Sequence, residues 1–502
     1  MSEGACVIDL RLKKESLELM HCVLERTTED AFTADAVVPD TLPDVTDICV
    51  SDGDFCLWRL DLSAGCAEAE GEWKGSVCYR SENDDGLYSF PLSVGVRLRM
   101  HDDAIKPEMR PFAVFRVTDA QAQIMNSRKI RMNVRVLLSM QGFTPSVLEL
   151  TSDVENAEAG VFVKRDSCRC SMITQVEEQV FTVGGESTMR QQPRTGKLLS
   201  ARSELIWDPP QISASRAVLR GVVRSHILYL GDQENTYIAE MVQMPFSQLL
   251  DLDGLTDTDV LRSRLQLTSA ELSIRGEKTV SAEFHVVAQT CCIREADRML
   301  LSDAYSVTAS LELEQETVPL QQIFTPEPVR VTAQATIPDQ PGPGNVLDTA
   351  AQLKSLSTDG TMVRGEIVCR ALIERDGAVS PASGSILFSS ELQPNQRLDT
   401  ARIASVDASL NGTELNLRAA VVLALQEIRP EQKQVIVSIS QTEETSSRET
   451  TSSVILLPKT GQEDLWDIAK RYGSSTAAIQ AANQIQDDRP EPNYWLIPCV
   501  QV

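Results

Sequence analysis

The fold is decided by three stretches of alternating sequence: KIRMNVRVLL at 129–138, KTVSAEFHVV at 278–287 and ELNLRAAVVL at 414–423. In the first, Ile130, Met132, Val134 and Val136 share one face, and polar residues occupy the other. Successive side chains of a β-strand point to opposite faces of the sheet, so this pattern is typical of a half-buried strand. The three stretches predict antiparallel sheets, each with one face on a core.

Each alternating stretch follows a second marker, a strand with an apolar residue, a basic residue and a glycine in that order. The three copies are WKGSVCYR at 73–80, LRGVVRSH at 219–226 and VRGEIVCR at 363–370. Their glycines, Gly75, Gly221 and Gly365, are 146 and 144 residues apart. Two markers that keep their order and spacing predict an internal repeat, the alternative being coincidence among many strands. Glycine inside a strand indicates a bulge or a close backbone approach.

The repeat predicts the domain organisation. We expect a mainly β chain with three sandwich- or barrel-like domains, a polar linker and a small α+β module of βααβ order. The expected ranges are 31–145, 170–295 and 318–442 for the domains, 443–453 for the linker and 454–500 for the module. Residues 1–30 are expected to form an arm or a short helix, with Leu17, Leu19, Met20 and Leu24 available for packing.

Composition and charge narrow the function. The 502 residues are 42% hydrophobic and carry a formal net charge of −25, with 72 acidic and 47 basic side chains. An acidic surface repels phosphate backbones and anionic lipids, so nucleic acid and membrane partners are disfavoured. The first residues contain no apolar signal-peptide core, and no apolar run is long enough to span a membrane. Twelve scattered cysteines are not a disulfide framework, and a cytoplasmic protein is expected.

The C-terminal residues have a different pattern. A short apolar strand at 454–457 precedes a helix that Asp464 is placed to cap and that Gly473 is suited to end. Ser474 or Ser475 is placed to cap a second helix, and a last strand covers 494–497. This order predicts a two-stranded sheet with helices on one face.

These residues resemble the LysM family, through DLWDIAKRYGSS at 464–475 and the spacing onward to Asn483 and the final LIP. The resemblance implies a groove for N-acetylglucosamine chains, flanked by the loop into the first helix and the loop out of the second. Glu463 and Asp464 stand where the family usually has Asp-Thr, and Gln462 replaces its glycine. Because these departures border the groove, we expect weak glycan binding.

The predicted binding residues follow from this geometry. They comprise the two loops around the only concavity of so small a module, together with the aromatic pair of the last strand: Gly461, Gln462, Glu463 and Asp464; Asn483, Gln484 and Ile485; Tyr494 and Trp495. Asp464 is equally well explained as a helix cap. Tyr494 and Trp495 alternate, so one of them must face away from the helices, where it is free to stack on a sugar or anchor a protein.

The three β units, the VPDTLPDV opening at 38–45 and the Pro245-Phe246 segment resemble the SPOCS-domain family of spore formers, which includes coat morphogenetic proteins with a C-terminal LysM domain. The resemblance implies a place in the mother-cell cytoplasm, at the forespore surface. It also implies a protein partner for the LysM module, the ATPase that polymerises into the basement layer of the coat.

The reactive residues of the sequence match no catalytic or metal-binding motif. Of the four histidines, His226 and His285 lie in alternating strands without Cys-x-x-Cys or His-Glu-x-x-His partners. The TGKLL stretch at 195–199 lacks the rest of a phosphate-binding loop. We therefore predict no metal, no cofactor and no enzymatic activity. The expected function is a scaffold or adaptor in spore-coat assembly. The alternative is a peptidoglycan or N-acetylglucosamine binder, and an enzyme with a targeting LysM module has little support.

Overall fold

The computed structural model describes residues 10–82, 84–155, 160–232, 236–338, 341–441, 454–458, 464–483 and 493–499. In this part of the chain, strands dominate everywhere except in the C-terminal module, which holds two short helices. The predicted fold class, mainly β with a small α+β module at the C-terminus, is confirmed.

The first unit has two three-stranded antiparallel sheets, β2-β3-β4 and β1-β6-β5. Its strands are β1 (Leu12–Val37), β2 (Asp47–Ser63), β3 (Cys66–Ser81), β4 (Asp84–His101), β5 (Arg110–Asn126) and β6 (Lys129–Val154). Between the sheets lies a core that includes Trp73, Phe55 and the apolar side of the 129–138 stretch, from Ile130 to Leu138. The alternation read from the sequence is therefore the alternation of burial.

The second unit repeats this arrangement with sheets β8-β10-β11 and β7-β13-β12, and a short β9 beside β10. Its strands are β7 (Val161–Thr188), β8 (Leu198–Trp207), β9 (Gln211–Ser213), β10 (Arg216–Leu230), β11 (Tyr237–Leu250), β12 (Val260–Arg275) and β13 (Thr279–Ser306).

The third unit pairs sheet β16-β17-β18 with a sheet in which β20 contacts β14, β15 and β19. Its strands are β14 (Leu311–Phe324), β15 (Val329–Ile337), β16 (Asn345–Thr358), β17 (Met362–Arg375), β18 (Ala378–Glu391), β19 (Gln396–Asn411) and β20 (Glu414–Gln441). Here β14 and β15 together correspond to β1 of the first unit. The segment between them contains Pro326 and Pro328, which cannot donate to a ladder.

The three marker glycines lie in the central strands β3, β10 and β17. Gly221 is paired with Phe246, and Gly365 with Phe388. A Cβ on either glycine would overlap the ring of its partner, and a Cβ on Gly75 would overlap the Asp52 carbonyl. Close approach, not a positive φ, requires glycine at these positions.

Each unit extends one pair of strands beyond its three-stranded sheet as a two-stranded ribbon. In the first unit, residues 12–21 pair with 144–154, where β6 has lost β5 as a neighbour. The corresponding ribbons pair residues 161–172 with 294–306 and residues 311–323 with 428–441. The short helix expected within residues 1–30 is therefore wrong for the described part, because residues 12–30 lie in β1.

The three ribbons pack against one another. One shared core joins Leu150 of the first ribbon, Cys168 and Leu300 of the second, and Leu320 and Val435 of the third. Segments 146–155, 160–169 and 296–317, which the predicted domain ranges leave out, thus lie largely within strands. The ranges themselves stay a prediction, and the expected linker at 443–453 lies outside the described residues.

The C-terminal module consists of β21 (Val454–Pro458), α1 (Leu465–Tyr472), α2 (Thr476–Ala482) and β22 (Tyr494–Pro498). The two strands pair antiparallel, with Leu456 opposite Leu496. Trp466, Ile468 and Ile479 from the helices pack with Trp495 and Ile497 from β22. Neither helix described here has the length and apolar character needed to cross a membrane.

Candidate functional site

The two helices of the module begin and end as their capping residues dictate. The Asp464 carboxylate accepts the N–H of Trp466 at 3.1 Å, and the Ser475 hydroxyl accepts the N–H of Ala478 at 3.0 Å. Gly473 ends α1 with φ of +65°, in the left-handed region that favours glycine. The capping predicted for Asp464 is thus present.

Asn483 ends α2 and joins it to the last strand. Its amide nitrogen donates to the carbonyls of Ile479 and Leu496, each at 2.7 Å, and its amide oxygen accepts the N–H of Leu496 at 2.8 Å. The side chain thus fixes the spacing between α2 and β22. A ligand at this rim would meet a side chain already bonded within the module.

The aromatic pair of β22 divides as alternation requires. Trp495 is buried in the core of the module, and Tyr494 is 51% exposed on the other face of the sheet. Val454, Leu456 and Leu496 are exposed on that face beside it. We call these four residues the outer apolar face. It lies opposite the helices, so it is separate from the predicted groove.

Of the predicted groove residues, the structure places Asp464 and Asn483 at the ends of the two helices. Five others, Gly461, Gln462, Glu463, Gln484 and Ile485, lie outside the described residues. Their grouping around one concavity stays a prediction.

The module packs on the ribbon of the second unit, and we call this contact the seat of the module. Asp303, in β13, accepts the indole N–H of Trp466 at 2.7 Å and the ammonium of Lys470 at 2.6 Å. In β7, Lys164 pairs with Asp464 at 3.0 Å. The hydrogen bonds from Lys164 and from the Trp466 N–H hold the pKa of Asp464 below its usual range.

Aromatic rings fill the rest of this contact. Tyr305 lies edge-on to Trp466, with ring centroids 4.9 Å apart, and stacks on Phe162 at 5.3 Å. Its hydroxyl donates to the carbonyl of Ser474 at 2.7 Å. Burial raises the pKa of Tyr305 to about 12, and the nearby Asp303 adds to the shift. The core of the module therefore continues into the ribbon.

Sequence reasoning missed the ribbon side of this contact. Residues Phe162, Lys164, Asp303 and Tyr305 all fall between the predicted domain ranges. The available signal was the aromatic pair Phe162 and Tyr305, and such residues are common in ordinary strands.

Other side chains with reactive groups are histidines and cysteines in the strands. His285 lies 3.3 Å from Glu283, an exposed pair on one strand. Within the described ranges, no three His, Cys, Asp or Glu side chains are grouped so as to hold a metal ion. Burial raises the pKa of the Cys78 and Cys291 thiols, which disfavours the reactive thiolate.

The comparisons with known proteins identify one part of the chain. The family model of the LysM domain matches residues 462–493, which include α1, α2 and all the predicted loop residues except Gly461. No curated protein and no solved structure shows significant similarity to the chain. The chain thus carries a C-terminal LysM domain, a non-catalytic binding module that suggests recognition of peptidoglycan or a related glycan.

Proposed function

We propose that the protein is a non-enzymatic scaffold in spore-coat assembly, in which a three-unit body presents the LysM module to a protein partner. The observation that carries the proposal is the outer apolar face. Val454, Leu456, Tyr494 and Leu496 are between 37% and 61% exposed, on a sheet of only two strands. Exposed apolar surface grouped around an aromatic residue is typical of protein interfaces.

The body supports this role by its construction. The three units pack together in two buried apolar clusters. One lies between the ribbons, and the other contains Cys49, Leu228 and Leu372, one from each unit. The seat on the second ribbon then fixes the orientation of the module. A rigid body with a fixed binding module is what a scaffold requires.

The resemblance to SPOCS-domain proteins supplies the biological setting of the proposal. We therefore propose that the protein acts in the mother cell, at the forespore surface, with the coat basement-layer ATPase as its partner. A LysM module in this compartment has an intracellular protein to bind, and the acidic chain is not drawn to nucleic acid or anionic lipid.

A second function, binding of peptidoglycan or N-acetylglucosamine chains, is favoured by the LysM match itself. Residues 454–500 carry four basic and six acidic side chains, so long-range attraction to an anionic wall polymer is absent. We expect millimolar or no affinity for N-acetylglucosamine oligomers and micromolar affinity for the protein partner, a gap of about 4 kcal/mol.

Two variants of the full-length chain separate the two functions. Leu456→Asp disrupts the outer apolar face, and Ile485→Asp, in the loop after α2, targets the predicted groove. Partner binding is measured with the purified ATPase and glycan binding by calorimetry with chitooligosaccharides. We expect the Leu456→Asp variant to lose binding of the ATPase and to keep the melting temperature of the unaltered chain. Micromolar binding of glycan that only Ile485→Asp removes would replace the scaffold proposal by the glycan one.

A further inference from the structure

The three units meet at three junctions, and two of these are closed by strand packing. At the first, β12 of the second unit packs on β2, and Gln266 donates to the carbonyl of Phe55 at 3.1 Å. At the second, β5 packs on β16, and Gln352 donates to the carbonyl of Val117 at 3.0 Å. By analogy of position, the third junction is the one between β8 and β19.

A partly open cavity of about 430 Å³ lies where this junction meets the other two. Residues of β8 and residues 403–406 of β19 line part of it, residues of β2, β5 and β16 line another part, and β3, β10, β11 and β17 contribute the rest of the wall. A cavity of this size at a meeting of domains is the usual setting of a small-molecule site.

Buried charges surround the cavity, and several are paired. Arg202 bridges Asp52 at 2.8 Å and Asp348 at 2.7 Å, so its charge is fully matched. Asp54 accepts the N–H of Ser203 at 2.6 Å, and burial raises the pKa of Asp54 to about 7. Asp52 and Asp348 are thus paired, and Asp54 is partly neutral near pH 7.

Two guanidinium groups on the wall remain incompletely matched. Arg370 makes one hydrogen bond, to the neutral carbonyl of Ala120 at 2.8 Å, and no ion pair with any described residue. Arg224 is 3.9 Å from Glu204, beyond hydrogen-bond distance, and its buried Nε has no hydrogen-bond partner in the described part of the chain. Both side chains are half-buried, and guanidinium groups that lack a closely matched carboxylate favour an anionic acceptor.

Apolar side chains complete the lining, among them Trp73, Met241, Val368 and Ile403. A free phosphate dianion would leave these apolar surfaces uncovered. A planar monoanion with a carbon skeleton matches both the guanidinium forks and the apolar wall. We propose that this cavity binds a small organic acid, with its carboxylate on Arg370 and Arg224 and its carbon skeleton on the apolar lining.

Calorimetry on the full chain with benzoate and with benzamide tests the proposal, since the two probes differ in charge but hardly in shape. We expect saturable binding of benzoate, at least about tenfold tighter than benzamide, because a charge-assisted hydrogen bond is lost with the neutral probe. Equal affinities, no binding of benzoate, or binding of inorganic phosphate in its place would overturn it.

Variants assign the site. Arg370→Gln is expected to weaken benzoate binding by about tenfold or more. Arg364→Gln, on the same strand but exposed and paired with Asp359, is the matched control and is expected to bind as the unaltered chain does. If both bind benzoate equally, the assignment of the carboxylate fails.

A second variant keeps the test decisive if Arg370→Gln does not fold. Ala350 lines the cavity. It lies on the same face of β16 as Asp348 and Gln352, and both of these side chains make contacts across the junctions. Ala350→Leu should fill part of the space and abolish benzoate binding without lowering the melting temperature. Unchanged binding in this variant would place the probe outside the cavity.

Discussion

Two contacts hold distant parts of this chain together, and they use opposite chemistry. At the junction of the three units, Arg202 is 18% exposed and bridges carboxylates from the first and third units. At the seat of the module, rings dominate, and Asp303 and Tyr305 hold a helix that is partly open to solvent. The comparison teaches that a large interface tolerates a buried charge that carboxylates match, as at Arg202, whereas a module of under 50 residues needs aromatic bulk.

The largest effect is expected at the junction. Arg202→Ala leaves Asp52 and Asp348 facing each other in a buried setting, which typically costs about 3–5 kcal/mol. Urea unfolding of the full chain measures it. The control is Arg59→Ala, an exposed arginine paired with Glu70, for which we expect about 1 kcal/mol or less. Equal losses in the two variants would mean that the junction charges are not effectively buried.

The junction should also respond to pH. The pKa of Asp54 is raised to about 7 by burial, above the value of about 3.9 in an unfolded chain. Its contribution to stability is therefore complete below about pH 4 and is lost as pH rises through about 7. The free energy of unfolding should fall by up to about 1.4 kcal/mol per pH unit in between.

Asp54→Asn isolates this dependence, because the amide oxygen still accepts the N–H of Ser203 and no longer titrates. The difference in unfolding free energy between the unaltered chain and the variant is measured from pH 4 to pH 8. We expect it to move in favour of the variant as pH rises. A difference that stays flat would show that Asp54 is solvated.

At the seat, Tyr305→Ala removes a ring that is 5% exposed and is shared between ribbon and module. We expect a loss of about 2–4 kcal/mol, confined to the module, because the ribbon keeps its ladder to β7. Hydrogen exchange of the α1 amides measures it. Tyr305→Phe is the control: it loses only the hydrogen bond to Ser474 and is expected to cost about 1 kcal/mol.

The two contacts also mark the limits of prediction from sequence. Alternation at 129–138 and the spacing of Gly75, Gly221 and Gly365 gave the strands and the three-fold repetition, because local period and close approach leave a direct trace. The helix cap at Asp464 was equally readable, and that of the second helix was narrowed to Ser474 or Ser475, of which the structure has Ser475. These features depend on neighbours a few residues away or on strands of the same unit.

Contacts between units leave no such trace. Arg202 reads as one more polar residue in a strand, and Asp303 as one acid among 72 acidic residues. Their roles depend on partners 146 and 163 residues away, respectively, across interfaces that one sequence does not reveal. The ribbons were missed for the same reason, since their apolar residues are buried by the other ribbons and, at Tyr305, by the module.

The smallest effects on stability are expected for the two charged contacts of the seat, that of Asp303 and the Lys164–Asp464 pair. Asp303 is 20% exposed and serves two donors, whereas the Lys164–Asp464 pair is 36% and 52% exposed. Asp303→Asn keeps an acceptor for Trp466 but loses the ion pair with Lys470, and we expect the opening free energy of α1 to fall by about 1 kcal/mol. Lys164→Gln should change it by about 0.5 kcal/mol or less, because solvent screens an exposed pair. Hydrogen exchange at low and high salt distinguishes them, since only the exposed pair should weaken strongly with salt. If Lys164→Gln opens the helix more than Asp303→Asn does, the exposed pair and not the aspartate holds the module on its ribbon.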